Sequence, residues 1–405
     1  MLTSVGVPVQ SEAEPSAQDF ARPTLICFSH LRWDFVFQRP QHLMSRFARA
    51  MTVVFWEEPV EIGRRETAFL KVRQAEDFPN VRVATPHLPE GLDEERREAA
   101  LKRLLDAHVS ICTRPLLAWY YTPMMLSFSR HIEASAVVYD CMDELSKFRF
   151  APERLLDLES ELIGRADLVF TGGASLYEAK KDRHSNVHCF PSSVDRDHFA
   201  KARSELSQPS DQAELKHPRL GFYGVIDERF DIDMLREMAD LRPDWSFVMV
   251  GPVVKIGEDE LPRAANIHYL GGKTYEQLPA YLSGWDVALM PFAMNESTQF
   301  ISPTKTPEYL TGGKPVVSTP IRDVVRTYGH LQGVHIAHDA DGFVRCCEKA
   351  LEQSRDPNGD WLAEADLLLA ATSWDTTQAR MAGLIAEVLG ERVEEEAPAL
   401  LVAAE

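Results

Sequence analysis

The chain has 405 residues, a length that points to two domains, and its 45% hydrophobic and 26% charged residues are the balance of a globular protein with real cores. A net charge of −19 excludes a general nucleic-acid binder, which needs clustered Lys and Arg, although a local basic pocket can still hold a polyanionic ligand. Six scattered cysteines without a CxxC pair exclude a standard zinc or redox motif and read as reduced core thiols, as in the cytoplasm.

Residues 1–22 contain acidic residues and prolines but no apolar h-region, so a disordered tail is expected there rather than a secretory signal. No apolar run approaches the roughly 20 residues that span a bilayer. Residues 25–29 read as a buried strand and 40–50 as the helix after it. Further strands are expected at 52–56, 117–121, 136–140, 167–171 and 187–191, with a helix at 153–165. Residues 96–105 form a basic helical stretch interrupted by acids. It is read as a solvated surface helix, with peripheral contact to an anionic membrane as the alternative.

The composition between 197 and 218 shifts to Ser, Gln, Pro and Lys, the signature of a linker. Strands then follow at 220–223, 246–250, 267–270, 287–291, 315–318 and 334–336. Helices at 233–241, 275–283, 342–353 and 361–370 alternate with them, and a last helix covers 375–389. The expected architecture is α/β: an N-terminal doubly wound domain at 23–200, a linker at 201–217 and a second such domain at 218–372. A closing helix at 373–391 returns to the first domain, and a loose tail occupies 392–405. Ligands of such sheets sit at the carboxyl ends of the strands, so two facing sheets create one interdomain cleft.

The most informative stretch is 291–320, PFAMNESTQFISPTKTPEYLTGGKPVVSTP. A polar loop leads into a short helix, with Thr306 as its expected N-cap and Pro307 at its first position. Unsatisfied amides at a helix start attract phosphate, and Lys305 adds a full charge beside them. Glu308 can accept two hydrogen bonds from a ribose diol. The same residues also fit a plain N-cap, a solvated lysine and a glutamate favoured by the helix dipole.

Ser302-Pro303-Thr304-Lys305, followed by Glu308-Tyr309-Leu310, Gly312 and Pro315-Val316-Val317, resembles the donor-binding signature of group 1 GT-B glycosyltransferases. The likeness is nearest to bacterial members that build cell-surface polysaccharides, such as teichuronic-acid-type enzymes. It implies a GT-B fold of two Rossmann-like domains and a transferase using a UDP- or GDP-sugar. The acceptor would be a glycan or a lipid-linked sugar, and no metal or other cofactor is implied. The setting would be the cytoplasm, at the inner face of the membrane if the acceptor is lipid-linked. Lys305 would face the donor phosphates, with Ser302, Pro303 and Thr304 lining the loop and Glu308 binding the ribose. Many retaining relatives carry a second glutamate eight positions earlier, where this chain has Phe300.

The same resemblance assigns Gly224 and Arg229 to the diphosphate and Leu270 and Gly271 to the nucleobase. It also covers Phe37-Gln38-Arg39-Pro40-Gln41-His42-Leu43, which places His30, Arg32, Asp34, Gln38 and Arg39 at the cleft edge. Of these, Arg32, Asp34, Gln38 and Arg39 are expected on the acceptor side and His30 in catalysis with Lys305. Asp140 and Asp143 end another strand, and Asp143 is the chosen general base. The DxD at Asp231-Ile232-Asp233 falls at an expected helix start and reads as a cap rather than a metal site. The competing functions are a GT-B sugar-nucleotide 2-epimerase and a degenerate, non-enzymatic nucleotide- or glycan-binding partner protein. The sequence leaves the oligomeric state open.

Overall fold

The computed structural model describes residues 9–11, 22–204, 206–356 and 359–402, with 9–11 and 391–402 described by backbone alone. Among these residues two sheets form two lobes. The N-terminal strands are β1 (Val9–Ser11), β2 (Thr24–Phe28), β3 (Thr52–Trp56), β4 (Val60–Ile62), β5 (Phe69–Ala75) and β6 (Phe78–Pro89). They continue with β7 (Leu116–Tyr120), β8 (Ala136–Cys141), β9 (Leu168–Thr171) and β10 (Val187–Cys189). They assemble in the order β1-β5-β6-β3-β2-β7-β8-β9-β10, with β4 beside β6. The central strands TLICF, TVVFW and LLAWY are buried at every position because helices cover both faces.

The hairpin of β5 and β6 is antiparallel and lies where no strand was expected. Its burial alternates residue by residue, with Lys71, Arg73 and Arg82 on the wetter face, so it lacks the continuous apolar run that marks the inner strands. The Glu94–Val109 helix turns Ala100, Leu101, Leu104, Leu105 and His108 into the core. Its apolar stripe is thereby covered by protein.

The C-terminal strands are β11 (Arg219–Tyr223), β12 (Ser246–Val250), β13 (Ile267–Gly271), β14 (Val287–Met290), β15 (Val316–Ser318) and β16 (Val334–Ile336). All are parallel, in the order β13-β12-β11-β14-β15-β16. The winding direction reverses between β11 and β14, and in the other lobe between β2 and β7. A crevice opens at such points beyond the carboxyl ends of the strands. The chain therefore gathers the residues after β2 and β8 opposite those after β11 and β14.

Between the lobes, the segment expected as a plain linker at 201–217 contains the Ser210–Ala213 helix, and the Arg196–Phe199 helix lies just before it. Phe199 and Ala202 are packed into the C-terminal core. The Trp374–Val402 helix then buries Trp374, Met381, Ile385 and Val388 with Leu25, Phe47 and Trp119 of the N-terminal lobe. Their spacing keeps them on one stripe, and a fully buried side chain of this size is worth about 1.5–3 kcal/mol. The loose segments expected at 1–22 and 392–405 lie partly outside the described residues. Within those, Val9–Ser11 pairs in parallel with β5, and the last helix runs to Val402.

Candidate functional site

The cleft is built first from the turn after β11. Gly224 has φ +135, and a Cβ there would lie 2.4 Å from Lys305 Cε and 2.8 Å from its Nζ. Gly251, after β12, has φ +149, and its Cβ would lie 1.8 Å from the Gly224 carbonyl oxygen. Both positions need a backbone that glycine alone adopts without strain. Gly224 thus makes room for the Lys305 side chain, a closer constraint than the expected approach of a phosphate.

The Lys305–Thr311 helix starts one residue before the expected cap. Thr306 is inside it, fully buried, with its hydroxyl against Met290 Sδ at 2.9 Å; Thr304 is the N-cap and makes no side-chain cap bond. The proline signal carried no register, because every amide of the first turn lacks an intrahelical partner and any of those positions tolerates Pro. Gly313 closes the helix at φ +74 as its left-handed terminator. With only seven residues the helix has a weak dipole, so the charge of Lys305 dominates the local field.

Lys305 is half-buried, its Nζ 5.6 Å and 5.7 Å from the ring centres of Phe222 and Phe292. Burial lowers its pKa to about 8, with Arg229 adding to the effect and Glu308, Asp227 and Asp143 opposing it. Glu308 is buried, and its Oε2 accepts a 2.8 Å hydrogen bond from the Tyr223 hydroxyl. Burial pushes its pKa up against the pull of Lys305 and Tyr223. Arg229 is chelated by Asp227, with contacts of 2.7–3.1 Å, while still lining the cleft.

Across from these groups, Asp143 follows β8 on the other lobe. Burial raises its pKa to about 6, against Arg229 and Arg39, which lower it. Gln38, Asp143, Ser192, Gly224, Arg229, Ser302, Pro303, Thr304, Lys305 and Glu308 all line this one cleft. Residues named from sequence on both lobes are therefore brought together.

Other expected site residues are placed differently. Arg39 lines the cleft, but all three of its guanidinium nitrogens are engaged inside the N-terminal lobe. Nε and Nη2 bind Asp140 at 2.8–3.2 Å and Nη1 binds the Phe190 carbonyl at 2.7 Å. Both members of this pair are buried, which makes it a pin beneath the Asp143 loop. Arg32 binds Glu57 and the Glu58 carbonyl, and Asp34 pairs with Arg73. Arg32 is outside the Lys305 cleft, and Asp34 lines a wider groove that adjoins it. His30 keeps a buried Nδ1 without a partner among the described residues. Burial and the nearby Lys255 lower its pKa to about 4, so it is neutral at pH 7.

Leu270 and Gly271 end the edge strand β13, where Gly271 (φ +72) accepts the Gly251 amide at 2.9 Å. They do not line the cleft; Lys273, Tyr275 and Leu278, just beyond, do. Phe300 packs against the N-terminal core, and Glu296 pairs with Lys147 of the opposite lobe. Among the carboxylates of residues 291–311, Glu308 is thus the one that lines the cleft. Asp231 caps the Met234 amide at 2.9 Å and Asp233 pairs with Arg236, so the DxD is a helix start. No group of three or more potential metal ligands occurs among the described residues.

Sequence reasoning did not single out Tyr223, Lys255 or Tyr275 as site residues. Tyr223 was visible as the last residue of a strand at the switch point, directly before the required glycine. Asp227, two residues before Arg229, is the pairing partner that the sequence itself offers that arginine. Lys255, at φ +63, left no local signal. Its ammonium lies 5.2 Å from the Phe148 ring of the other lobe, and Arg229 lies 5.5 Å from the same ring.

Residues 217–353 match the family model described as Glycosyl transferases group 1. A Bacillus subtilis (strain 168) protein named as a teichuronic acid biosynthesis glycosyltransferase is 28% identical over 264 residues. That match covers 59% of this chain and 64% of the relative, so the chain spans less than two thirds of that protein's length. Sucrose-phosphate synthase from Thermosynechococcus elongatus shares the fold with a TM-score of 0.67 at 14% identity, over 91% of this chain and 100% of that one. An E. coli structure described as trehalose-6-phosphate bound with UDP-2-fluoro glucose gives 0.64 at 13% identity, over 89% and 99%. At such identities the likeness is one of fold alone. Residues 217–353, the second lobe, are thus similar to the group 1 glycosyltransferases, a relative named as a glycosyltransferase matches over a longer stretch, and the chain as a whole shares the two-lobed GT-B fold.

Proposed function

We propose that this chain transfers a sugar from a UDP- or GDP-sugar to a hydroxyl of a glycan or lipid-linked acceptor, in the making of a cell-surface polysaccharide. The observation that carries the reading is the convergence of Lys305, Arg229, Glu308 and Asp143, from both lobes, on one cleft. Lys305 and Arg229 face the donor diphosphate and stabilise the negative charge that grows on it as the bond from C1 to the phosphate oxygen breaks. Glu308, oriented by Tyr223, accepts hydrogen bonds from the ribose hydroxyls. Asp143 takes the proton of the acceptor hydroxyl as its oxygen bonds to C1. A base titrating near pH 6 is ionised at neutrality and suited to that task. These side chains supply the charge without a metal, and retention at C1, the stereochemical outcome we propose, requires the acceptor oxygen to bond to C1 on the face that the diphosphate leaves, with Asp143 taking its proton on that same face.

Incubation with UDP-glucose and GDP-mannose, with and without sugar acceptors, tests this. Release of UDP or GDP, lost in Asp143→Asn, supports transfer, and a product linked in the donor's anomeric configuration supports retention. A donor sugar altered at C2 would instead show an epimerase. The position of Phe300, turned away from the donor into the other lobe, favours one rival, a nucleotide-binding partner protein. Binding without turnover would identify it.

A further inference from the structure

A buried ionic cluster lies behind Asp143. Lys180, at the C-terminal end of the Ala174–Lys180 helix, is buried. Its ammonium donates to Glu159 Oε1 and Oε2 at 2.7 and 2.9 Å and contacts Glu144 Oε2 at 2.7 Å. Glu159 is itself held by Arg183 at 2.6 Å and by the Tyr139 hydroxyl at 3.0 Å. Removing such charges from water is costly, and apolar side chains of the same volume hold a fold equally well, so stability alone does not account for the cluster. What it supplies is direction. Glu144 is the neighbour of Asp143 in the chain, and consecutive Cα atoms are about 3.8 Å apart, so a pinned Glu144 confines Asp143. The loop is pinned at two further points. Arg39 binds Asp140, and the Met142 backbone lies where a Cβ on Gly172 would meet its carbonyl oxygen at 2.6 Å.

We propose that Lys180 is a positioning residue for the reaction: anchored on Glu159, it grips Glu144 and thereby fixes Asp143 in the cleft. The inference rests on Asp143 being the base of the proposed transfer. Arg229, Arg39, Asp227, Lys255 and Lys305 are charged groups that act on Asp143, and Lys180 instead contacts Glu144 and Glu159.

The test measures UDP release from UDP-glucose and GDP release from GDP-mannose from about pH 5 to 9 in Lys180→Met, Glu144→Gln and Lys180→Arg. A Lys180→Met/Glu159→Gln double variant, which also removes the fully buried carboxylate that Lys180 compensates, guards against misfolding. The expected result is a fall in kcat of about 10- to 100-fold with the donor KM unchanged, partly restored in Lys180→Arg. The acid limb of the profile should also move to lower pH as a loosened Asp143 gains water. Full kcat with an unmoved limb in folded Lys180→Met and Glu144→Gln overturns the inference, provided Asp143→Asn is inactive. An active Asp143→Asn, or no turnover of either donor by the unsubstituted protein, overturns the reading beneath it and the inference with it.

Discussion

Lys305 and Asp143 make opposite demands on pH, and both follow from burial. Lys305, with its pKa lowered to about 8, carries its charge below that value and loses it above. Nucleotide affinity should therefore be full below pH 8 and fall as pH rises through it, and binding at about pH 8.5 should take up a proton, because a diphosphate favours the ammonium form. Calorimetry in buffers of different ionisation enthalpy measures that uptake. Asp143, raised to about 6, is a base only when ionised, so turnover should decline as pH falls through 6. Gly224→Ala should lose nucleotide binding, since the added Cβ meets Lys305 in a backbone conformation that alanine resists. Asp140→Ala leaves the buried Arg39 guanidinium uncompensated and should cost about 3–5 kcal/mol in chemical denaturation. The sequence could offer Arg39 as a ligand-binding candidate but not its engagement, because its partner lies 101 residues away. Lys305 and Glu308 were legible because they share one short segment with a family signature.

The elements that carry the site were readable wherever their function required burial. The inner strands appear as unbroken apolar runs because both faces are covered, and the turns after β11 and β12 appear as glycines because the backbones nearly touch. The β5–β6 hairpin, half wet and alternating, gave no comparable run. The closing helix makes its own prediction. Trp374 is fully buried beneath the N-terminal sheet, so Trp374→Ala should destabilise that lobe by about 3–5 kcal/mol, visible in thermal or denaturant unfolding. A second connection joins the lobes. Asp323 of the C-terminal lobe accepts the Ser175 amide at 3.0 Å, next to Gly173. The same helix that ends in Lys180 is thereby registered on the C-terminal lobe at its start.

At the scale of the molecule, two sheets with their own cores face each other across one crevice, and the chain crosses between them twice. The acidic surface and the basic crevice are compatible because the cations are few and local. Arg229 is partly neutralised by Asp227, and Lys305 is the least compensated of them. The account stands on the grip of Lys305 and Glu308 upon a nucleoside diphosphate. Its most direct test is titration of UDP and of GDP into the unsubstituted protein and the Lys305→Ala/Glu308→Ala double variant, with melting temperatures recorded without ligand. The predicted result is that one nucleotide binds the unsubstituted protein and binds the double variant about 100-fold more weakly or not at all, while the ligand-free double variant keeps a single cooperative melting transition. Equal affinity in a folded double variant, or no binding of either nucleotide to the unsubstituted protein, would contradict it.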